Sequence, residues 1–277
     1  MKTPHRPGRM LVLEGPPGAG KTIALASLVR SLGDRCAFFT EPCLALENPQ
    51  LYAAGDADQH IQWHLQHELL RYRRITSLAA PAEVVVCDRN HLGALAYVYA
   101  THGSGSVRYQ AARATYLREI APTVPHDLDT VILLVSVEAS LARRGGSAEL
   151  PRWAHWYDSE VLCRLREFYL QHAAALCPRQ PIVIDTDPLS LAQTVGEVAR
   201  LLRTDGLDIG TLTLPEAQRS VVDPQLRSEY FASGGLAVLG HPVTPAFTHQ
   251  FHRIQMCEHG VLGAEPVRQQ PEGRPSR

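Results

Sequence analysis

Residues 9–30, RMLVLEGPPGAGKTIALASLVR, constrain the chain more than any other stretch. An apolar run, Met10 to Leu13, meets a glycine-rich turn that leads into a helix-forming segment from Lys21 onward, so the order is strand, loop, helix. Gly15, four intervening residues, then Gly20, Lys21 and Thr22 match the Walker A spacing in full. Each position has a mechanical reason. Gly15, Gly18 and Gly20 allow positive φ, which turns backbone N–H groups inward beside the partial positive charge of a helix N-terminus. The segment Gly15-Pro16-Pro17-Gly18-Ala19-Gly20 is thus expected to cradle a polyphosphate. The Lys21 ammonium is expected to reach the outer phosphates, and the Thr22 hydroxyl to ligate the magnesium that accompanies them. A chance glycine-rich turn is the competing reading, and the complete spacing with correct flanks argues against it.

With 277 residues the chain has room for one large domain or one domain with an appendage. A formal net charge of −1 supplies no long-range field for nucleic acid or an anionic membrane, so the expected partner is a small molecule. A homodimer is left open. No apolar run approaches the ~18 residues of a membrane span, and the first residues lack an apolar signal core. The six cysteines form no CxxC pair and are too sparse for a disulfide scaffold. A soluble cytoplasmic protein with free thiols is expected.

Beyond the loop, Cys36 to Thr40 reads as a short strand closed by Glu41-Pro42, and in a parallel sheet the carboxyl ends of strands are where catalytic groups gather. Asp56 to Leu78 carries Ile61, Leu65, Leu69 and Leu70 at the helix period, with Trp63, Gln66, His67, Arg71, Arg73 and Arg74 between them. Val84 to Cys87 is a continuous apolar run of the buried parallel-strand kind, and Asp88-Arg89 ends it. A carboxylate there is the Walker B arrangement, in which Asp88 holds magnesium directly or through water. An acidic cap for a helix starting near His91 is the bland reading, compatible with the first. Helices are expected over His91 to Ala100, Tyr109 to Ile120 and Trp156 to Leu176, and strands over Thr130 to Val137 and Ile182 to Asp185. A helix from Glu138 breaks at Gly145-Gly146 with Arg143, Arg144 and Arg152 around the break, which reads either as a closing lid that brings positive charge or as a solvated basic turn. Pro188 to Leu202 is the last confident helix. The alternation predicts an α/β domain over residues 9–205, a parallel sheet covered by helices on both faces. Residues 206–277 read as an irregular, partly disordered extension without core periodicity, dispensable for the domain. His249, His252, Cys257 and His259 lie close in sequence but match no zinc spacing.

Taken in order, GPPGAGKT, FFTEP, VVVCDRN with HLGALAY after it, VILLVSVEASLARRGG and PIVID resemble the thymidylate kinase and deoxynucleoside kinase group of phosphate-loop kinases, over roughly Met10 to Leu202. The resemblance implies a P-loop NTPase fold of the nucleoside monophosphate kinase type, with ATP as donor and Mg2+ as cofactor. It implies that Asp88-Arg89 serves magnesium and the acceptor's 5′ group, and that the stretch from Arg143 to Arg152 is the lid. Thr40 before Glu41 and Cys43 after Pro42 look more like nucleoside kinases, in which this glutamate takes the proton of the sugar hydroxyl. Asp88-Arg89-Asn90 looks more like thymidylate kinase, while His67 or Glu68 falls near the place where those enzymes carry an acceptor-binding arginine.

The two acceptors make different demands. A neutral hydroxyl needs a carboxylate base, which Glu41 provides. A monophosphate needs cations, which Arg89 and one of Arg71, Arg73 or Arg74 provide. Trp63, Gln66 and Tyr97 are candidates to stack on or hydrogen-bond a base, against ordinary packing roles. The expected reaction is ATP-dependent phosphoryl transfer to a thymidylate-like monophosphate or a nucleoside, with the Asp-Arg-Asn turn and the helical arginines inclining toward the monophosphate. A kinase for a hydroxyl of an antibiotic or other small metabolite, and a nucleotide-binding regulatory module that contacts a partner through residues 206–277, are the alternatives.

Overall fold

The computed structural model describes residues 9–32, 35–39, 57–78, 84–143, 156–203, 222–239, 242, 246–249, 252–257 and 260–263. Glu41, Arg144, Arg152 and the tail after Gly263 lie outside the described residues. Five strands, β1 (Arg9–Glu14), β2 (Cys36–Phe39), β3 (Val84–Asp88), β4 (Leu128–Leu134) and β5 (Ile182–Asp185), form one sheet in the order β2-β3-β1-β4-β5. All four pairings are parallel. Every parallel neighbour requires a crossover, and the crossovers carry helices α1 (Lys21–Leu32), α2 (Ala57–Leu78), α3 (His91–His102), α4 (Val107–Thr115), α5 (Val137–Arg143) and α6 (Ser159–Gln171), while α7 (Leu191–Arg203) follows the last strand of this sheet.

Strand periodicity sorts the core into two layers. Met10, Val12, Val85, Cys87, Ile132 and Leu134 point to one face, where α2, α3, α4 and α6 bring Leu65, Leu95, Ala112 and Phe168 against them. Leu11, Leu13, Val84, Val86, Val131 and Leu133 point to the other, against Leu25 and Leu28 of α1 and Val195, Val198 and Leu202 of α7. Both faces being covered explains why the strands read as unbroken apolar runs rather than as alternation. Each fully buried Val or Leu side chain stabilises by about 1.5–3 kcal/mol, so the central strands anchor the sheet.

Two helices differ from expectation for identifiable reasons. The segment expected to be one helix from Trp156 begins its α-helix at Ser159, because the Asp158 carboxylate accepts from the N–H groups of Glu160 and Val161 and caps it there. It ends at Gln171, and a 3-10 turn over Ala173–Leu176 follows. The segment expected over Tyr109 to Ile120 starts earlier, capped by the Ser106 hydroxyl, and widens into a π turn over Tyr116–Ile120.

The C-terminal extension is more ordered than its sequence suggests. Short helices α8 (Arg227–Ala232) and α9 (Gly235–Leu239) precede an antiparallel sheet of β6 (Phe247–His249), β7 (His252–Cys257) and β8 (Gly260–Leu262). Ile254, Met256 and Val261 project from one side of it into the α1/α7 layer of the core. From the other side Cys257 and Leu262 meet Leu226, Tyr230 and Leu239. Polar groups tie the piece together: the buried Gln255 amide oxygen accepts from the Asp223 N–H at 2.9 Å, and Arg253 pairs with Asp223 at 2.6 Å. Little after Gly206 carries core periodicity in the sequence, yet Ile254, Met256 and Val261 join the core, since strands of three to six residues are too short to display a period. Among the described residues no helix is long and apolar enough to cross a membrane.

Candidate active site

The glycine-rich loop leaves β1 at the carboxyl edge of the sheet. Gly15, Gly18 and Gly20 all have positive φ, at 133°, 78° and 92°. At Gly15 the requirement is also steric, because a Cβ there would sit 2.0 Å from the Leu133 carbonyl oxygen of the adjacent strand. Pro16 and Ala19 are buried within the turn, and Pro17 is half-buried. From α5 the Ser140 hydroxyl donates to the Pro17 carbonyl at 2.7 Å. The Arg143 guanidinium donates to the carbonyls of Gly18 at 3.3 Å and Thr186 at 2.6 Å. The loop is therefore held in shape by the element that follows β4. The buried Lys21 ammonium donates to the carbonyls of Gly15 at 2.7 Å and Pro16 at 2.9 Å, so its charge stands inside the loop's curve. Thr22 follows in the first turn of α1, which carries no acidic residue to offset the helix's positive end.

The second motif lies alongside. Parallel register sets Leu13 opposite Asp88, which brings the buried Asp88 to the same edge as the loop. The Arg89 N–H donates to the Leu13 carbonyl at 3.1 Å, and Arg89 takes a left-handed backbone with φ of 55°. Among the described residues it is the one non-glycine residue with positive φ, a conformation that costs an L-residue roughly 1–2 kcal/mol. Asn90 then caps α3 through its side-chain oxygen, which accepts from the Leu92 N–H at 2.9 Å.

Two buried side chains of opposite charge brace this turn. On one side the Arg71 guanidinium donates to the carbonyls of Asp88 at 3.0 Å and Arg89 at 2.5 Å while pairing with Glu68 at 2.7 Å. On the other is Glu14, the last residue of β1, which has no exposed surface. One of its oxygens, Oε1, accepts from the N–H groups of Asn90 at 2.6 Å and Gly93 at 3.1 Å. The other, Oε2, accepts from the Gly15 N–H at 3.3 Å and the Tyr169 hydroxyl at 2.8 Å and lies 3.9 Å from Arg89 Nη1. Burial and the neighbouring Glu14 charge push the Tyr169 phenol well above its ordinary pKa, which keeps it a proton donor. Arg89 also donates to the Gly15 carbonyl at 3.4 Å.

The structure thus brings Gly15, Pro16, Pro17, Gly18, Ala19, Gly20, Lys21, Thr22, Asp88, Arg89 and Arg143 to one edge. Arg71 reaches the same place, engaged with Glu68 and the backbone of the turn. Glu41 and Arg144 fall outside the described residues. On α2, Gln66 is exposed on the stripe it shares with Gln62, Leu70 and Arg73, away from the core-facing Ile61, Leu65, Glu68 and Tyr72. Trp63 is half-buried and lies against the His67 ring with centroids 4.0 Å apart. Tyr97 of α3 is half-buried against Trp156 at 5.4 Å. Sequence reasoning passed over Glu14 and Tyr169, and named Glu68 only for its place on the helix. For Glu14 the signal existed, since an acidic residue ending a buried apolar strand is the pattern that singled out Asp88.

The donors suit a hard cation bound with phosphate. Among the described residues no group of three or more His, Cys, Asp or Glu side chains could hold a metal ion. The Thr22 hydroxyl and the Asp88 carboxylate are the oxygens that fit magnesium.

No protein-family model matches the sequence, and no curated protein matches it significantly. Solved structures do match in fold. Thymidylate kinase from Candida albicans superposes with a TM-score of 0.56 at 15% identity, covering 72% of this chain and 93% of that one. Deoxyadenosine kinase from M. mycoides with bound dATP gives 0.51 at 19% identity, covering 70% and 99%. The same enzyme with its products dCMP and a flexible dCDP gives 0.53 at 17% identity, covering 70% and 99%. The chain therefore has the α/β phosphate-loop fold of thymidylate and deoxynucleoside kinases.

Proposed function

We propose that the chain is an ATP- and magnesium-dependent phosphotransferase whose acceptor is a nucleoside or a nucleoside monophosphate. The observation that carries this reading is the juxtaposition, at one sheet edge, of a Walker A loop with three positive-φ glycines and an Asp88-Arg89 turn in register with it. In this reading the loop N–H groups and Lys21 hold the triphosphate, and Thr22 and Asp88 hold the magnesium, which neutralises charge on the phosphates. Arg89 grips the acceptor's 5′ group, Arg143 and Arg144 bring positive charge from the lid side, and Glu41 accepts a proton from a hydroxyl acceptor. Trp63 and Tyr97 present the aromatic surfaces nearest to a base-binding role, and Gln66 on the exposed stripe is the weakest of the proposed acceptor contacts. The fold and ligands of the structural neighbours agree with this reading.

One observation orders the two acceptors. Arg71, the best-placed helical arginine for a monophosphate, already pairs with Glu68 and braces the carbonyls of Asp88 and Arg89, while Arg73 is exposed. Arg74 is the third helical candidate and its side chain lies outside the described residues; the commitment of Arg71 to the turn favours a neutral hydroxyl, hence a nucleoside.

The test is phosphoryl transfer to a panel of nucleosides and monophosphates, measured against ATP hydrolysis alone. Transfer to a member of the panel supports the proposal, and hydrolysis without transfer points to the regulatory module. With a nucleoside acceptor, Glu41→Gln lowers turnover by about 10²- to 10⁴-fold at nearly unchanged ATP affinity. With a monophosphate the larger loss follows Arg89→Lys, because a fork that binds two oxygens becomes a point charge.

A further inference from the structure

Glu14 has an environment that the reading above does not use. It is a carboxylate with no exposed surface, at the point where the phosphate loop begins, and groups from three separate elements converge on it. Those groups are the Gly15 N–H of the loop, the Asn90 and Gly93 N–H groups of the turn and α3, and the Tyr169 hydroxyl of α6. Arg89 approaches the Oε2 atom that also receives Tyr169, at 3.9 Å. A carboxylate buried among packed apolar strands is expensive unless several donors surround it, and here they do. What those donors share is position, for each belongs to a segment that touches the proposed reacting groups.

We infer that Glu14 is a positioning residue that sets the Arg89 guanidinium relative to the phosphate loop, with Tyr169 holding the carboxylate in register. The inference rests on the kinase reading for its kinetic consequence, though not for its geometry. Arg89 has a flexible side chain on a left-handed backbone residue, so on its own it samples many orientations. The fixed anion restricts it to the edge where the loop's phosphates belong. Glu14 bonds the loop through Gly15 and the turn through Asn90, so one side chain joins the donor site to the acceptor grip. Glu68 and Arg71 do the complementary work on the carbonyl side of the turn.

Glu14→Gln tests this with little change of shape. Its amide oxygen still accepts from Asn90 and Gly93, while its NH2 faces Arg89 and no longer attracts it, the Tyr169 hydroxyl turns to accept from it, and the Gly15 N–H loses its acceptor. The expected result is a fall in acceptor kcat/KM of about 10- to 100-fold, the usual effect of removing an orienting partner, with ATP affinity within about threefold of wild type. Loss of transfer and of ATP binding in equal proportion, or no loss of transfer, overturns the inference. If that variant fails to fold, Tyr169→Phe deletes a single oxygen at constant volume and is expected to lower acceptor kcat/KM about 3- to 10-fold. In an Arg89→Lys background the same substitution should add less than about twofold, because its effect runs through Arg89, and full additivity overturns the proposal. A readout independent of catalysis separates this idea from the kinase reading. NMR of the Arg89 Nη–H signals, identified by their loss in Arg89→Lys, should show slow solvent exchange in the wild type and exchange at least about tenfold faster in Glu14→Gln or Tyr169→Phe. Unchanged exchange defeats the positioning role even if no acceptor is ever phosphorylated, and faster exchange supports it in that same case.

Discussion

Lys21 does two jobs that a substitution separates. It bonds to the carbonyls of Gly15 and Pro16, and in the proposed reading its charge is offered to a bound polyphosphate. Lys21→Ala should leave the circular dichroism spectrum and melting behaviour near wild type while lowering turnover by about 10²-fold or more, because transition-state charge goes uncompensated. Near-normal turnover removes the site. The loop glycines are unequal in the same way. A Cβ at Gly15 would meet the Leu133 carbonyl at 2.0 Å, whereas at Gly20 it would find only Leu191 and Thr194 side-chain carbons at 3.8 Å. Gly15→Ala combines left-handed strain with a backbone clash and should destabilise by at least about 2 kcal/mol. Gly20→Ala carries the φ strain alone, about 1–2 kcal/mol. Urea denaturation of the two variants side by side checks the ranking, and equal losses would mean that the clash at Gly15 relaxes.

The extension is the element whose role changes most between sequence and structure. Ile254, Met256 and Val261 are buried in the core layer that holds α1 and α7, so a chain ending near Thr204 exposes apolar surface of that layer. Such a truncation is expected to lose several kcal/mol, at about 1.5–3 kcal/mol for each large apolar contact, and to become poorly soluble. Met256→Ala in the full chain is the cleaner probe, with an expected loss of about 2–5 kcal/mol in a denaturant titration. A truncated chain as stable as the whole would return the extension to the status of an appendage. The strands and helices of the main domain were legible because continuous apolar runs and helix-spaced leucines are long signals. The phosphate loop and the Asp88 turn were legible because their spacing is short and local. Glu14 and Tyr169 were not brought together by any such pattern, since they meet only when β1 and α6 pack across the sheet face. The same holds for β7, where three residues of apolar alternation are too few to stand out until α1 and α7 are there to receive them.

Across the whole molecule, stability should depend on pH through His91. The ring is buried, stacked on Tyr116 at 4.2 Å, with its Nε2 bonded to the Leu176 carbonyl at 3.0 Å. A carbonyl only accepts, so Nε2 carries the hydrogen and Nδ1 accepts from the Tyr72 hydroxyl at 2.8 Å. Burial pulls its pKa down to about 3, with the Arg71 charge adding to the effect and the Leu176 bond opposing it. The unfolded chain binds a proton there below about 6.5 while the native one does not, so stability is full above that pH and falls as pH drops from about 6.5 toward 3. Urea midpoints at several values in that window should decline with acidification in the wild type and decline less in His91→Gln. A slope that survives the substitution assigns the effect to other groups. The arrangement of the sheet also dictates an order of events during synthesis. β1 is central, flanked by β3 and β4, both of which leave the ribosome after it. β7 and β8, which complete the core layer that holds α1, come last. At about 5–20 residues per second α1 waits roughly 10 to 50 s for that layer to be completed, with apolar surface open to solvent or to a chaperone for the whole interval.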